Sequence, residues 1–375
     1  MDVVQFCCGL INCCSVTPAN DGAIEYIASF LQERGFQTKI LEFSEGENHV
    51  RNLFAKISRG QGKNLGFLGH SDVVPAGDGW NTPPFSATIV GDHLVGRGVT
   101  DMKGGISAFC IAVDKFLAEK NFEGSISFFI TGDEEIGTYQ GILSVLDWAV
   151  QNREIPNDCL IGEPSSFEKV GDRIYIGHRG SINARLIAKG KQGHVAQPKS
   201  FDNSLLKICQ CITQMKAFQW KHDDLRFPPT NLEPTLLYTG NYAENVVPGE
   251  SSANVNIRFS ADYSSEEIKE ILSSIANQFG ISIEFRVSGE AYCCDDENLK
   301  NKLSRAIERV AGISPKFSAA GGTSDGRHMI KYCNVIEFGV QDSTMHQSNE
   351  CCKTADLKIL QNIYYEFLKN YFECD

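Results

Sequence analysis

The chain has 375 residues, with 35 lysines and arginines against 47 aspartates and glutamates, for a formal net charge of −12 at pH 7. That acidic balance argues against nucleic acid as a partner, because a phosphate backbone calls for a basic stripe. No apolar run approaches the roughly 18 residues of a membrane span, and 42 % hydrophobic with 22 % charged residues is the composition of a globular protein long enough for two domains.

The opening segment, Met1 to Cys8, is mildly apolar, yet it begins with an acid and its first basic residue is Arg34. It lacks the positive leader of a secretory signal and reads as a buried first helix of a cytoplasmic protein. Fourteen cysteines include the adjacent pairs at 7–8, 13–14, 293–294 and 351–352 and no C-x-x-C spacing. Adjacent cysteines rarely bridge each other, so the thiols read as reduced and structural.

Ala23 to Arg34 has helical spacing with Gly35 as its stop. Asn64 to Leu68 is a short apolar strand running into His70 and Asp72. The glycine-rich segment 96–105 carries Asp101 and leads into a helix from Lys103 to Ala118. Ser125 to Thr131 reads as a strand ending at Asp133-Glu134-Glu135, and Cys159 to Ile161 as a strand ending at Glu163-Pro164. This alternation predicts an α/β domain with a mostly parallel sheet, whose ligands collect at the carboxyl ends of the strands.

The pattern changes from about Gly180. Strands at 181–188, 232–239, 252–260 and 281–287 and helices at 205–218 and 265–279 follow a β-α-β-β-α-β order, that of a split, ferredoxin-like unit. A second domain is therefore placed at 180–293, inserted into a first domain made of 1–179 and 294–375. The chain returns with a helix at 297–310, a strand at 334–338 and a final helix at 355–372, and His346 lies on that return.

The chemistry sits in His70, Asp101, Glu134-Glu135, Glu163 and His346. Imidazole and carboxylate donors without cysteine suit Zn²⁺ or a similar divalent ion. Five such ligands exceed what one tetrahedral ion uses and point to two ions sharing a carboxylate, the hardware of metal-assisted hydrolysis. Asp101, between the other clusters, suits the shared position, although an isolated Asp there reads as a helix cap. Asp72 shares the strand face of His70, where an acid orients a ligating imidazole. Glu134 and Glu135 are adjacent and cannot serve one task from one face, so one binds metal while the other takes a proton. His194 lies in a Gly-rich loop of the inserted domain, where it can polarise a carbonyl if that domain closes. Gly321 to Gly326 can cradle a carboxylate with backbone N–H groups, but no Gly-Lys-Ser/Thr closes it as a phosphate loop.

Gly69 to Pro75, Asp101 to Gly105, Gly132 to Glu135 and Gly162 to Pro164 resemble the motifs of the di-zinc metallopeptidase family that includes aminoacylases, carboxypeptidases and acetylornithine deacetylase. The similarity runs from about Ser15 to the C-terminal helix. Gly177 to Ser181, Gly190 to Pro198, Phe227 to Thr230, Asn245 to Glu250, Gly321 to Arg327 and His346 to Glu350 are similar to the branch that hydrolyses N-succinyl-L,L-diaminopimelate to succinate and L,L-diaminopimelate, a step of lysine and diaminopimelate biosynthesis.

The resemblance implies a catalytic domain of the di-zinc exopeptidase kind and an inserted dimerisation, or lid, domain. Two zinc ions per subunit, replaceable by Co²⁺ or Mn²⁺, would share Asp101, with His70 and Glu163 on one and Glu135 and His346 on the other. Glu134 would be the general base, and Asp72 would orient His70. The inserted domain would pair two subunits, His194 reaching the partner's site to stabilise the oxyanion. Arg179, Ser181, Asn245, Arg258, Gly322, Thr323 and Ser324 would hold a small anionic N-acyl amino acid. The chain departs from the branch at His178, Gln197 and Asp342, where Arg, Tyr and Asn are usual. Competing readings are another acyl-amino-acid deacylase or dipeptidase of the family, and a non-catalytic metal-binding module, which would have no use for Glu134.

Overall fold

The structure, a computed structural model, describes residues 1–46, 48–240, 243–322 and 324–374. The chain divides into two compact units, Met1–Gly177 with Cys294–Ser318 and Ser324–Asp375, and His178–Cys293 with Ala319–Thr323.

The first unit is built on an eight-stranded sheet. Its strands run, from one edge, Gln37–Glu45, Asn48–Arg59, Gly124–Thr131, Asn64–His70, Asp158–Ile161, Asn334–Glu337, Arg173–Tyr175 and Lys316–Ser318. The four strands from Gly124–Thr131 to Asn334–Glu337 are mutually parallel. They are short apolar runs buried on both faces, as parallel strands must be when helices cover them. The edge beyond Gly124–Thr131 is an antiparallel hairpin, Gln37–Glu45 with Asn48–Arg59. No strand is expected there from the sequence, because polar and charged residues break the segment into apolar runs of no more than three residues.

Helix Gly104–Glu119 is buried from Gly104 to Val113 and again at Phe116. Its Phe109 stacks on Phe67 of the sheet at 4.2 Å, and Tyr364 of the C-terminal helix Thr354–Phe372 meets Phe109 edge-on at 5.5 Å. Each such ring contributes about 1.5–3 kcal/mol by burial. The helix begins so close to a strand end that a Cβ on Gly105 would stand 2.2 Å from the Gly162 carbonyl oxygen, so only glycine fits. The apolar start of the chain is helix Val3–Ile11, which buries Val3, Phe6, Cys7, Leu10 and Ile11 and is capped reciprocally by Asp2 and Gln5.

The second unit is a four-stranded antiparallel sheet in the order Asn231–Tyr238, Glu250–Phe259, Gly180–Lys189, Ile281–Gly289. Alternation along these strands turns Ile182, Leu186, Val255 and Ile257 towards Ile208 and Met215 of helix Ser204–Ala217 and Leu272 of helix Ser265–Gln278. The chain order is β-α-β-β-α-β. Asn231–Tyr238 is an edge strand, and its Leu236, Leu237 and Tyr238 are exposed. Among the described residues all fourteen thiols are free, and no helix is long and apolar enough to cross a membrane.

Candidate metal centre

The register of the parallel strands assembles the centre. His70 is the last residue of its strand and pairs with Thr131, while Leu68 pairs with Ile161. Glu163, two residues past Ile161, therefore falls level with His70. Glu134 and Glu135 follow from Thr131 on the other side. Asp101 arrives on the segment entering helix Gly104–Glu119, and the peptide bond after it is cis. His346 arrives from the return of the chain with a left-handed backbone, φ 61°, a conformation costly for a non-glycine residue and common at functional sites.

Two groups of ligand atoms result, His70 with Asp101 and Glu163, and Asp101 with Glu135 and His346, each with its atoms within 4.8 Å of one another. Asp101 belongs to both. Its Oδ1 lies 3.1 Å from His70 Nε2 and its Oδ2 2.8 Å from His346 Nε2. Glu163 Oε1 stands 3.7 Å from His70 Nε2, and Glu135 Oε1 3.2 Å from His346 Nε2. The mixed N/O donor set, free of thiolate, fits a divalent transition metal. Asp72 carries a double load. Its backbone carbonyl lies 2.9 Å from His70 Nδ1, and its carboxylate, 3.6 Å from that nitrogen, accepts the N–H groups of Glu134 and Glu135 at 3.2 and 3.3 Å.

Charge crowding shapes the titration of these groups. Burial pushes the Glu134 carboxyl well above its ordinary value, with His70 opposing and Asp325, Asp101 and Glu135 adding to the rise. Burial likewise raises Glu163, reinforced by Asp101. Burial would raise Asp101 too, but hydrogen bonds to His346 and His70 outweigh it and hold it below the usual carboxylate range.

Ser324 belongs to the same unit and is buried, and its hydroxyl is engaged by the Glu337 carboxylate and by the Gly326 N–H at 3.1 Å. The other candidate substrate contacts and His194 lie in the second unit. Arg179 Nη1 donates to Asn231 Oδ1 at 2.7 Å and to the Pro229 carbonyl at 3.1 Å. Buried Ser181 pairs across the strands with Arg258, whose Nε donates to Asn256 Oδ1 at 3.1 Å. Burial pulls both guanidinium groups below their ordinary range, and Arg258 adds to the effect on Arg179. His194 and Asn245 lie at the two-stranded ribbon of Gly193–His194 and Val246–Val247, and the Val195 N–H donates to the Asn245 carbonyl at 3.0 Å. His194 Nδ1 accepts the Ala196 N–H at 3.1 Å, so the neutral ring carries its proton on Nε2. Gly322 has open space where a Cβ would stand, and Thr323 lies outside the described residues.

Two residues beside the centre stand in stretches singled out from the sequence but are given no role there. Glu350 and Arg97, both buried, form an ion pair of 2.8 Å behind the Asp101 segment. The signal available was a lone charge among small residues, Arg97 between two glycines, and an acid running into Cys351-Cys352.

A parallel sheet with N/O metal donors at its strand ends defines a metallohydrolase of α/β type. Residues 66–370 match peptidase family M20/M25/M40. The succinyl-diaminopimelate desuccinylase of Pelagibacter ubique (strain HTCC1062) is 39 % identical over 373 residues, covering 97 % of each chain. Among solved structures, the M20 family metallo-carboxypeptidase Sso-CP2 of Sulfolobus solfataricus superposes with a TM-score of 0.78 at 18 % identity over 99 % of each chain. A dinuclear metal-binding peptidase of the M20 family from Bacillus subtilis superposes with a TM-score of 0.69 at 15 % identity, also over 99 % of each chain. The chain belongs to peptidase family M20/M25/M40.

Proposed function

We propose that this chain hydrolyses the amide bond of N-succinyl-L,L-diaminopimelate, releasing succinate and L,L-diaminopimelate. The observation that carries the reading is the pair of Asp101 oxygens, each set on a different histidine. His70, Asp101 and Glu163 would hold one divalent cation and Asp101, Glu135 and His346 a second, with Zn²⁺ the first choice for these donors and Co²⁺ or Mn²⁺ suited to them as well. Such a pair supplies an acidified water and a positive charge for the carbonyl oxygen.

The residues of the chain do the rest. Glu134, a buried carboxylate beside the ligand atoms of both groups, takes a proton from the attacking water as the C–O bond forms. It returns that proton to the amide nitrogen as the C–N bond breaks. Asp72 keeps His70 and the Glu134-Glu135 backbone in register. His194 offers its Nε2–H to the developing oxyanion. Arg179 and Arg258, with Ser181, Asn245 and the backbone at Gly322, Thr323 and Ser324, would receive the substrate's carboxylates.

The second unit would pair two subunits, each lending His194 to the other. Support comes from its apolar edge strand, on which Leu236, Leu237 and Tyr238 are exposed. Fourteen free thiols suit the reducing cytoplasm.

The test is turnover of N-succinyl-L,L-diaminopimelate beside N-acetylornithine and a set of dipeptides, with total metal counted on the same sample. Preference for the succinyl substrate at two metals per chain supports the reading. Preference for another acyl amino acid overturns the substrate and leaves the chemistry.

A further inference from the structure

Glu350 is fully buried, and its carboxylate is saturated by donors from one short segment. Oε1 accepts the N–H groups of Thr100 and Asp101 at 2.8 and 3.2 Å. Oε2 accepts the Gly98 N–H at 2.9 Å and Arg97 Nη1 at 2.8 Å. Arg97, 2 % exposed, also donates from Nη1 to the Gln347 carbonyl at 3.2 Å and from Nη2 to the Pro75 and Ala76 carbonyls at 3.3 and 3.0 Å, while its Nε is buried without a hydrogen-bond partner among the described residues. One ion pair thus ties together three loops, each carrying a ligand of the candidate centre: the segment after His70, the segment around Asp101 and the segment after His346.

We propose that Glu350, clamped by Arg97, is a positioning residue that fixes the backbone of Asp101 and thereby the spacing between the two cation positions. This rests on the reading of Asp101 as the shared ligand. A buried carboxylate is tolerated only where every lone pair is met, and here, among the described residues, the four donors lie at residues 97, 98, 100 and 101. The carboxylate grips the backbone on both sides of Thr100 and the N–H of the ligand itself. Asp101 must present two oxygens in two directions, so a small rotation of its peptide would favour one histidine at the expense of the other. Residues that orient metal ligands are worth about 10–100-fold in metal affinity.

The experiment compares wild type with Glu350→Gln, Arg97→Lys and Asp101→Asn. Zinc per chain is measured across a chelator-buffered zinc series, beside thermal melting with and without chelator and kcat and KM. Glu350→Gln places an amide NH₂ against N–H donors, so at least one of the two zinc ions should bind about tenfold or more weakly, with kcat reduced more than KM. Arg97→Lys leaves Glu350 its three N–H donors and should lose less zinc affinity than Glu350→Gln. It also keeps the inference testable if Glu350→Gln does not fold, since affinity and kcat unchanged in Arg97→Lys while chelated melting falls would make the pair purely structural and overturn the proposal. Glu350→Gln binding both zinc ions with wild-type affinity while melting lower would overturn it as well. Asp101→Asn retaining both ions at wild-type affinity would overturn the shared-ligand reading itself, and the proposal with it.

Discussion

Arg173 pairs with Asp342, Nη2 to Oδ2 at 2.8 Å, with the two side chains 21 % and 29 % exposed. The guanidinium is pinned, since its Nε donates to the Ser165 carbonyl at 2.6 Å and its carbon lies 4.7 Å from the centre of the Tyr175 ring. Asp342 is the position where a neutral Asn is usual, and a carboxylate near an anionic substrate would repel it. The ion pair offsets that charge. Arg173→Ala should therefore raise KM about fivefold, the value of roughly 1 kcal/mol expected for a partly exposed pair, and Arg173→Ala with Asp342→Asn should return it to the wild-type value. Steady-state kinetics of the two variants decide the matter, and an unchanged KM in the single variant would mean that Asp342 does not sense the substrate.

Glu134→Gln removes the proton acceptor and keeps the size of the side chain. Metal content should stay at the wild-type level while kcat falls by about 10²–10⁴. Elemental analysis beside kinetics separates a base from a ligand, because loss of metal in this variant would assign Glu134 to coordination.

His194→Ala should lower kcat by about 10²-fold, the usual cost of one oxyanion donor, without loss of metal. Mixing His194→Ala with Glu134→Gln, each strongly impaired alone, tests subunit exchange. If His194 serves the partner's site, a hybrid dimer contains one site with both groups intact and activity reappears on mixing. Continued inactivity of a verified hybrid would place His194 in its own subunit's chemistry.

Hydrogen bonds to Asp101 and Glu135 push His346 up to about 10, against about 6.5 in an unfolded chain. Between those values the folded chain binds more protons, so for chelator-treated protein this contribution to stability is fully present below about pH 6.5 and is lost as pH rises towards 10. The buried Glu134 and Glu163 carboxyls, also raised, act with the same sign. Zinc competes with the same protons, so its affinity rises with pH. Melting curves from pH 6.5 to 9 should slope downward with chelator and upward with limiting zinc. Parallel slopes would show that the metal does not displace the proton of His346.

The sequence made the centre of the sheet legible, because buried parallel strands are continuous apolar runs and His70, Glu134-Glu135 and Glu163 follow directly on them. The helix start at Gly104 and the strand end at His70 differ from the expected Lys103 and Leu68 by one or two residues. Hairpin 37–59 escaped, since its half-exposed strands carry lysine, glutamate and arginine between their apolar residues. Glu350 escaped for a different reason. Its partners are backbone N–H groups more than two hundred residues away in sequence, and no pattern of side chains announces a backbone acceptor. The same holds for Arg173 and Asp342, whose pairing exists only in the folded chain.

The left-handed turn that presents His346 lies beyond the whole second unit in sequence, whereas His70, Asp101, Glu135 and Glu163 all precede it. During synthesis the ribosome therefore releases one ligand triad early and the last imidazole late. A nascent chain ending before residue 294 carries His70, Asp101 and Glu163 but lacks the partner that completes the other group. A second cation position built on Asp101, Glu135 and His346 would therefore be completed only after the second unit has been synthesised.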